Sequence, residues 1–250
     1  NICKMPRQSG KSTTVVSYLL HYAIFNDSIT IGILANKAQT ARDLLGRLQI
    51  AYENLPKWMQ QGIIAWNKGS MELENKSKII AASTSASAVR GMSFNIIFLD
   101  EFAFVATHLA DDFFSSVYPT ISSGKSTKVI IVSTPRGMNH FYRLWHDAEL
   151  GRNEYITTDV HWSEVPGRDE AWKEQTIKNT SEAQFRVEFE CEFLGSVDTL
   201  IAPSKLKTMV YDEPINRGKR GGEIYENPID KHNYSITVDV ARGVEKDYSA

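Results

Sequence analysis

The chain has 250 residues, of which 42% are hydrophobic and 23% are charged, and its formal net charge at pH 7 is -2. This balance predicts a soluble globular protein with one full domain or one domain and part of another. The near-neutral charge argues against a DNA coat, and the apolar runs are too short for a membrane span of ~20 residues. The two cysteines, Cys3 and Cys191, and the lack of a secretory leader indicate a reducing cytoplasmic setting.

The first half of the chain alternates helical and strand patterns. Apolar residues at helical spacing predict helices over residues 13–25, 37–55 and 109–117. Short β-branched or apolar runs predict buried strands over residues 29–34, 78–82, 96–99 and 128–132, and Gly69 and Asn75 indicate a hairpin within residues 63–82. We therefore expect an α/β fold with a mostly parallel central sheet and helices on both of its faces.

The second half of the chain changes character twice. Residues 138–193 have a mainly helical pattern, with a strand predicted over residues 155–160. Prolines and glycines punctuate residues 195–233, and a new strand is predicted over residues 235–240. We expect a first domain over residues 1–195, a linker or subdomain over 196–233, and the start of a second domain over 234–250. Neither end of the chain has the pattern of a natural terminus, which predicts a piece of a longer protein.

A phosphate-loop pattern lies near the start of the chain. Backbone amides and a helix N-terminus would surround phosphates at Arg7, Gln8, Ser9, Gly10, Lys11, Ser12 and Thr13. Lys11 would reach the outer phosphates, Ser12 would ligate Mg²⁺, and Arg7 could stabilise charge during phosphoryl transfer. The usual first glycine of the pattern would fall at Met5. The alternatives are a surface turn that caps a helix and, for Arg7, a plain surface arginine.

Two acidic residues follow a buried strand pattern. Asp100 and Glu101 come directly after Ile96–Leu99, at the strand end where α/β proteins bind their ligands. Asp100 would hold Mg²⁺ with its water shell, and Glu101 would orient and deprotonate an attacking water. An acidic turn after a strand is the alternative. A phosphate loop upstream favours one shared ATP and Mg²⁺ site.

A third polar strand end occurs at residues 129–137. Ser133 and Thr134 could sense a γ-phosphate, and Pro135 prevents the strand from continuing. Such a strand end can relay the state of a nucleotide to a moving element. The alternative is an ordinary turn in which Ser133 or Thr134 caps the next helix.

Together these motifs resemble the large terminase subunit of tailed bacteriophages, in particular the myovirus type. The resemblance covers nearly the whole chain, in the segments RQSGKST, SAVRGMSFNIIFLDEFAF, VIIVSTPRG and FRVEFECEFLGS. It implies a P-loop NTPase fold in which Lys11 binds phosphate, Asp100 holds Mg²⁺, Glu101 is catalytic and Ser133, Thr134 and Pro135 form a coupling motif. That family lacks the first glycine of the loop and has an arginine where Arg7 stands. Arg90 is then a second candidate for charge stabilisation, with a structural or capping arginine as its alternative.

The same resemblance implies a second, RNase H-like nuclease domain that uses acidic residues and a divalent metal. Residues 235–250 resemble its first strand and turn, with Asp239 as the first catalytic metal carboxylate and Asp247 as a further ligand. The other ligands would lie beyond Ala250, so we do not expect this chain to cleave DNA. On the residues alone, Asp239 can also be a simple strand-end aspartate.

The implied activity is that of an ATP-hydrolysing motor that moves double-stranded DNA into a procapsid in the host cytoplasm. The implied partners are double-stranded DNA, a portal protein, a small terminase subunit and further copies of the chain in a ring, with no membrane. The family's adenine-binding segment, which precedes the phosphate loop, is missing here, which implies weak nucleotide affinity. Two alternatives stay open: a P-loop helicase, which should carry an arginine-rich motif on a second motor lobe, and a non-catalytic assembly module with a vestigial loop.

Overall fold

The computed structural model describes residues 1–85, 92–123, 127–194, 215–217, 223–224 and 227. The chain divides into two compact units, Asn1–Pro203 and Ser204–Ala250. The described part of the second unit is a short antiparallel ladder between β9 (Asn216–Arg217) and β10 (Glu223–Ile224). The predicted boundaries at residues 195 and 233 and the predicted strand over residues 235–240 lie outside the described residues and stay predictions.

An eight-stranded sheet forms the first unit, in the order β3-β4-β5-β2-β6-β7-β1-β8. The strands are β1 Ile2–Lys4, β2 Thr30–Ala35, β3 Ile63–Trp66, β4 Ser70–Leu73, β5 Lys78–Ser83, β6 Ile96–Asp100, β7 Lys128–Ser133 and β8 Thr157–Asp159. Across the sheet, every pair of neighbours in the order β5-β2-β6-β7-β1-β8 is parallel, whereas β3, β4 and β5 form an antiparallel meander. The predicted mostly parallel sheet and the predicted hairpin are therefore confirmed.

Helices cover both faces of this sheet. They are α1 Lys11–Phe25, α2 Ala38–Glu53, α3 Thr107–Ser123, α4 His140–Glu149, α5 Glu170–Asn179 and α6 Glu182–Glu188, with short 3₁₀-helices at Phe102–Phe104 and Trp162–Glu164. Successive residues of a strand pack into the hydrophobic cores on opposite faces of the sheet. In β2, Ile33 packs with α1 and α2, and Leu34 packs with α3 and α4. This alternation follows from the two-residue period of a strand, and it explains why β2 and β6 are apolar throughout.

The predicted elements of the first half are present, with shifted ends. Helix α1 begins at Lys11 rather than residue 13, because Gly10 in the left-handed region ends the loop. The strand predicted over residues 155–160 is the shorter, exposed β8. No helix in the described ranges is both long and apolar enough to span a bilayer.

Candidate active site

Three neighbouring parallel strands bring the predicted site residues to one edge of the sheet. Strand β7 lies between β6 and β1, with Asp100 paired in register with Val132, and Lys4 paired with Ser133. All three strands end at this edge, so the phosphate loop, the acidic pair and the Ser133 turn converge there. Chain segments that are about ninety and thirty residues apart therefore contribute to one site, as α/β topology requires.

The phosphate loop runs from the end of β1 into α1. Gln8 and Gly10 both have positive φ angles, 55° and 79°, which turn successive peptide groups around the loop. The Met5 amide donates to the carbonyl oxygen of Ser133 at 3.1 Å, which ties the loop to β7. Gly10 is the N-cap of α1 and supplies no side-chain cap, so the first-turn amides of α1 can bind an anion.

Lys11 is buried at this edge and contacts both other segments. Its ammonium donates to Thr134 Oγ1 at 2.7 Å and pairs with Glu101 Oε1 at 2.9 Å. Only 7% of its surface is exposed. A lysine of a surface turn would be solvated, so the structure disfavours the simple helix-capping turn as an account of Gly10 and Lys11.

Ser12 and Asp100 form the second link between the loop and the acidic strand. Ser12 Oγ donates to Asp100 Oδ1 at 3.1 Å, and Asp100 is 3% exposed. Burial, and after it the negative charge of Glu101, raise the pKa of Asp100 to about 6, while the Ser12 hydrogen bond and the Lys11 charge act in the opposite direction. The carboxylate is thus held in a place that favours a cation beside it.

Glu101 has a constrained backbone and an unsatisfied oxygen. Its φ of 50° and ψ of 42° lie in the left-handed region, which is uncommon for a residue with a Cβ. Oε1 accepts from Lys11, whereas Oε2 is buried without a hydrogen-bond partner in the described part of the chain. Buried carboxylate oxygens are normally satisfied, so this atom fits the task of accepting a proton from a bound water.

Ser133 and Thr134 contact different segments. Thr134 Oγ1 accepts from Lys11 and donates to the Met5 carbonyl oxygen at 3.2 Å, so it touches the phosphate loop. Ser133 Oγ accepts from the Ala103 amide at 3.0 Å, two residues beyond Glu101. The alternative that Ser133 or Thr134 caps the next helix is wrong, because Asn139 is the N-cap of α4.

Asn139 is a polar residue of this site that the sequence analysis missed. Its Oδ1 accepts from the amides of Phe141 and Tyr142, and its Nδ2 donates to the Ala103 carbonyl oxygen at 2.6 Å. The pattern of an asparagine before an apolar helix would have predicted the cap. No sequence signal indicates the second contact, which joins α4 to the 3₁₀-helix that follows Glu101.

Arg7 lies at the edge of the site and contacts Glu188 of α6 and Arg168, which precedes α5. Its guanidinium Nε is 3.6 Å from Glu188 Oε1, and half of the side chain is exposed. The Arg7 carbonyl oxygen accepts from Arg168 Nη2 at 2.6 Å. Neither Arg168 nor Glu188 was predicted as a site residue, since Arg168 belongs to no motif and Glu188 lies in the segment FRVEFECEFLGS, to which no role was assigned. A role for Arg7 in charge stabilisation stays a prediction.

The predicted metal ligands divide into two sets. Ser12 and Asp100 are adjacent, and an oxygen pair of this kind suits Mg²⁺, which takes one or two protein oxygens and completes its shell with phosphates and waters. Within the ranges that the structure describes, no group of three or more His, Cys, Asp or Glu residues could hold a metal ion. Asp239 and Asp247, and likewise Arg90, lie outside those ranges.

The chain resembles known proteins in sequence and in fold. Residues 2–208 match the family model described as terminase large subunit, T4likevirus-type, N-terminal. The large terminase ATPase domain of Thermus phage P74-26 has a TM-score of 0.64 and 19% identity, over 77% of this chain and 88% of that one. The HK97 bacteriophage large terminase has a TM-score of 0.63 and 18% identity, over 87% of this chain and 51% of that one.

A third similar structure is the large terminase of a thermophilic bacteriophage in complex with ATP-gamma-S. It has a TM-score of 0.59 and 12% identity, over 77% of this chain and 47% of that one. At these identities the likeness establishes the fold. The chain spans about half the length of the HK97 protein and of the thermophilic phage protein.

Proposed function

Because the chain belongs to the T4likevirus-type family of terminase large subunits, in the N-terminal part of that family, we propose that it is the ATPase of a viral DNA-packaging motor. The observation that carries the proposal is the convergence of Lys11, Ser12 and the Asp100–Glu101 pair at one sheet edge. A helix N-terminus without a side-chain cap lies beside them. This is the arrangement that binds a nucleotide's phosphates around a divalent ion.

In this proposal, different residues bind the phosphates, hold the metal ion and activate the attacking water. The α1 amides and Lys11 bind the phosphates. Ser12 and Asp100 would hold Mg²⁺, which would supply positive charge beside the phosphate oxygens. When phosphates draw Lys11 away from Glu101, the carboxylate is released to orient a water and accept its proton. The proposal therefore requires Lys11 to exchange its ion pair with Glu101 for a phosphate oxygen when a nucleotide binds.

Two contacts supply a route from this site to the rest of the domain. Ser133 and Asn139 both bind the backbone of Ala103, in the turn that carries Glu101. Asn139 also caps α4, so a shift of Glu101 reaches that helix directly. This link supports the proposed coupling role of Ser133 and adds Asn139 to it.

The wider assembly is also part of the proposal. The large terminase of the thermophilic bacteriophage was obtained in complexes with ADP and with ATP-gamma-S, which supports ATP as the nucleotide here. We propose that the chain acts on double-stranded DNA, in a homo-oligomeric ring at the portal protein, with a small terminase subunit as a further partner and the host cytoplasm as its location. The endonuclease, with Asp239 and Asp247 among its metal ligands, belongs to the sequence that follows the described domain.

The test is Mg²⁺-dependent ATP hydrolysis by the 250-residue chain. Glu101→Gln is expected to lower turnover by ~10²–10⁴ while nucleotide binding persists, since the base is lost and the phosphate contacts remain. Lys11→Ala is expected to weaken binding as well. Glu154→Gln changes an exposed carboxylate elsewhere and serves as the matched control.

Binding is measured as the shift of the unfolding temperature with ADP or ATP-gamma-S. Wild-type turnover in Glu101→Gln would reject the assignment of the base. A wild-type chain that neither binds nor hydrolyses ATP would reject the proposed function and favour the assembly module with a vestigial loop.

A further inference from the structure

The backbone of Arg7 is held from both ends of the helical segment formed by α5 and α6. Arg168, which precedes α5, donates from Nη2 to the Arg7 carbonyl oxygen at 2.6 Å. Glu188, the last residue of α6, accepts from the Arg7 amide at its own carbonyl oxygen at 3.0 Å. The peptide groups on both sides of Arg7 are therefore fixed by residues more than 150 positions away in sequence.

The Arg168 guanidinium is itself held by aromatic rings. It lies 4.8 Å from the ring centre of Trp172 and 5.4 Å from that of Phe189. These two cation–π contacts restrict the positions that the guanidinium can take. Burial lowers the pKa of Arg168, and Nη1 is buried without a hydrogen-bond partner in the described ranges. In the described ranges, the Arg7 carbonyl oxygen is the hydrogen-bond acceptor of this guanidinium, and a hydrogen bond from a charged donor is stronger than one between neutral groups.

The position of the Arg7 carbonyl sets the direction of the amides that follow it. Gln8 comes next and has a left-handed backbone, and Gly10 repeats that conformation before α1 begins. Amides arranged around such turns form the concave surface that receives an anion. A rotation of the Arg7 peptide would therefore be passed to the amides of the loop.

We infer that Arg168 is a positioning residue that fixes the phosphate loop for nucleotide binding through the carbonyl of Arg7. Arg168 contacts the backbone of the loop, and it affects phosphate binding only through this contact. The inference rests on the proposed function, because it assigns a role within the same nucleotide site. It also makes the α5–α6 segment a part of that site, since both Arg168 and Glu188 hold the loop from there.

An aromatic cluster is formed by the rings of Trp162, Trp172, Phe185 and Phe189. A purely structural role of Arg168 in this cluster is the competing account, and Lys173 supplies the matched control. The Lys173 ammonium lies 5.4 Å from the ring centres of Trp162 and Phe185, in the same cluster, and it pairs with Glu190 at 3.1 Å. Arg168→Gln and Lys173→Gln thus each remove one cation from the cluster. Only the first also removes a donor to the phosphate loop.

The experiment compares amide hydrogen exchange of the loop in the nucleotide-free chain. Arg168→Gln is expected to raise exchange of peptides that cover residues 5–9 by about tenfold, the size expected for loss of one charge-assisted hydrogen bond. Lys173→Gln is expected to leave those peptides within about twofold of wild type, because a cation lost away from the loop acts only through the cluster. Equal rises in both variants, or no rise in Arg168→Gln, would overturn the inference.

A second variant covers the case in which Arg168→Gln does not fold. Arg168→Lys keeps the positive charge but lacks the planar fork, so loop exchange should rise at least about threefold. Wild-type exchange in a folded Arg168→Lys chain would overturn the inference as firmly as the first comparison.

The kinetic readout separates this inference from the proposed function. In Mg²⁺-ATP hydrolysis, Arg168→Gln should raise KM by about tenfold with a smaller change in kcat, since the loop binds the ground state and transition state alike. Equal KM values in Arg168→Gln and Lys173→Gln would reject the effect on nucleotide binding. A wild-type chain that neither binds nor hydrolyses ATP would reject the proposed function, whereas the exchange comparison would still decide whether Arg168 positions the loop.

Discussion

The strand end that carries Asp100 and Glu101 and the helical segment of α5 and α6 are stabilised in opposite ways. The first has a buried carboxylate of raised pKa, a left-handed glutamate and a buried oxygen without a partner in the described chain. The second is an aromatic cluster around Phe185, in which Trp162, Trp172 and Phe189 lie within 6.0 Å between ring centres. The strand end holds groups suited to chemistry at a cost in stability, and the helical segment supplies packing that offsets it.

The largest effect is expected from the aromatic cluster. Phe185 is fully buried, so Phe185→Ala removes a whole ring and leaves a cavity. We expect a loss of about 3–5 kcal/mol in the free energy of unfolding, measured by denaturant titration. Phe25→Ala, at a position that is 56% exposed, is the control and should change little. Equal losses in the two variants would show that the cluster does not stabilise the domain.

The opposite sign is expected at Asp100. Its pKa of about 6, against an ordinary value of 3.8, means that the folded chain holds the proton more tightly than the unfolded chain does. The carboxyl's contribution to stability is therefore present below pH 3.8 and lost as the pH rises through about 6. Asp100→Asn removes the charge and keeps an oxygen for the Ser12 hydroxyl. It should stabilise the nucleotide-free chain at pH 7 by about 1–3 kcal/mol while it abolishes ATP hydrolysis.

Thermal unfolding in EDTA at a series of pH values checks this prediction. The advantage of Asp100→Asn over wild type should shrink between pH 7 and pH 4, as the wild-type carboxyl takes up its proton. An advantage that is constant across this range would assign the effect to something other than the charge. A loss of stability at pH 7 would show that the carboxylate is favourably solvated in the folded chain.

The two regions also differ in how far the sequence predicts them. Asp100 and Glu101 follow an apolar run, and Gly10 and Lys11 belong to a phosphate-loop pattern, so local sequence was enough to predict that these residues share a site. Parallel strand order then brings them together, because strands of one sheet end at the same edge. Lys11 contacts Thr134 at 2.7 Å, and Ser12 contacts Asp100 at 3.1 Å, at that edge.

The contacts of the helical segment could not be predicted in this way. Arg168 belongs to no motif, and the segment that contains Glu188 has no pattern that indicates its partner. The positions of both residues depend on how the aromatic cluster packs. Side-chain packing between distant segments has no local pattern, whereas strand and helix periodicity does. The partner of Ser133 could not be predicted from the sequence either. Ser133 was identified as a polar strand end, but its contact with the Ala103 amide depends on the conformation of the turn after Glu101.

The smallest effect is expected at Asn139, which has one role in the stability of a helix and another at the turn after Glu101. As the N-cap of α4 it stabilises a helix, and as a donor to the Ala103 carbonyl oxygen it holds the turn after Glu101. Asn139→Asp keeps the capping oxygen and loses the donor. We expect turnover to fall about fivefold, with the free energy of unfolding changed by no more than ~1 kcal/mol, since aspartate caps as well as asparagine does.

Asn139→Ala separates the two roles, because it removes the cap as well as the donor. Its turnover should fall as in Asn139→Asp, and its stability should fall by a further ~1 kcal/mol. The comparison uses steady-state hydrolysis and denaturant unfolding of the two variants beside wild type. If Asn139→Asp hydrolyses ATP at the wild-type rate, the contact with Ala103 only stabilises the fold. The movement of Glu101 would then have to reach α4 through Ser133 and the backbone of β7, without the direct hydrogen bond.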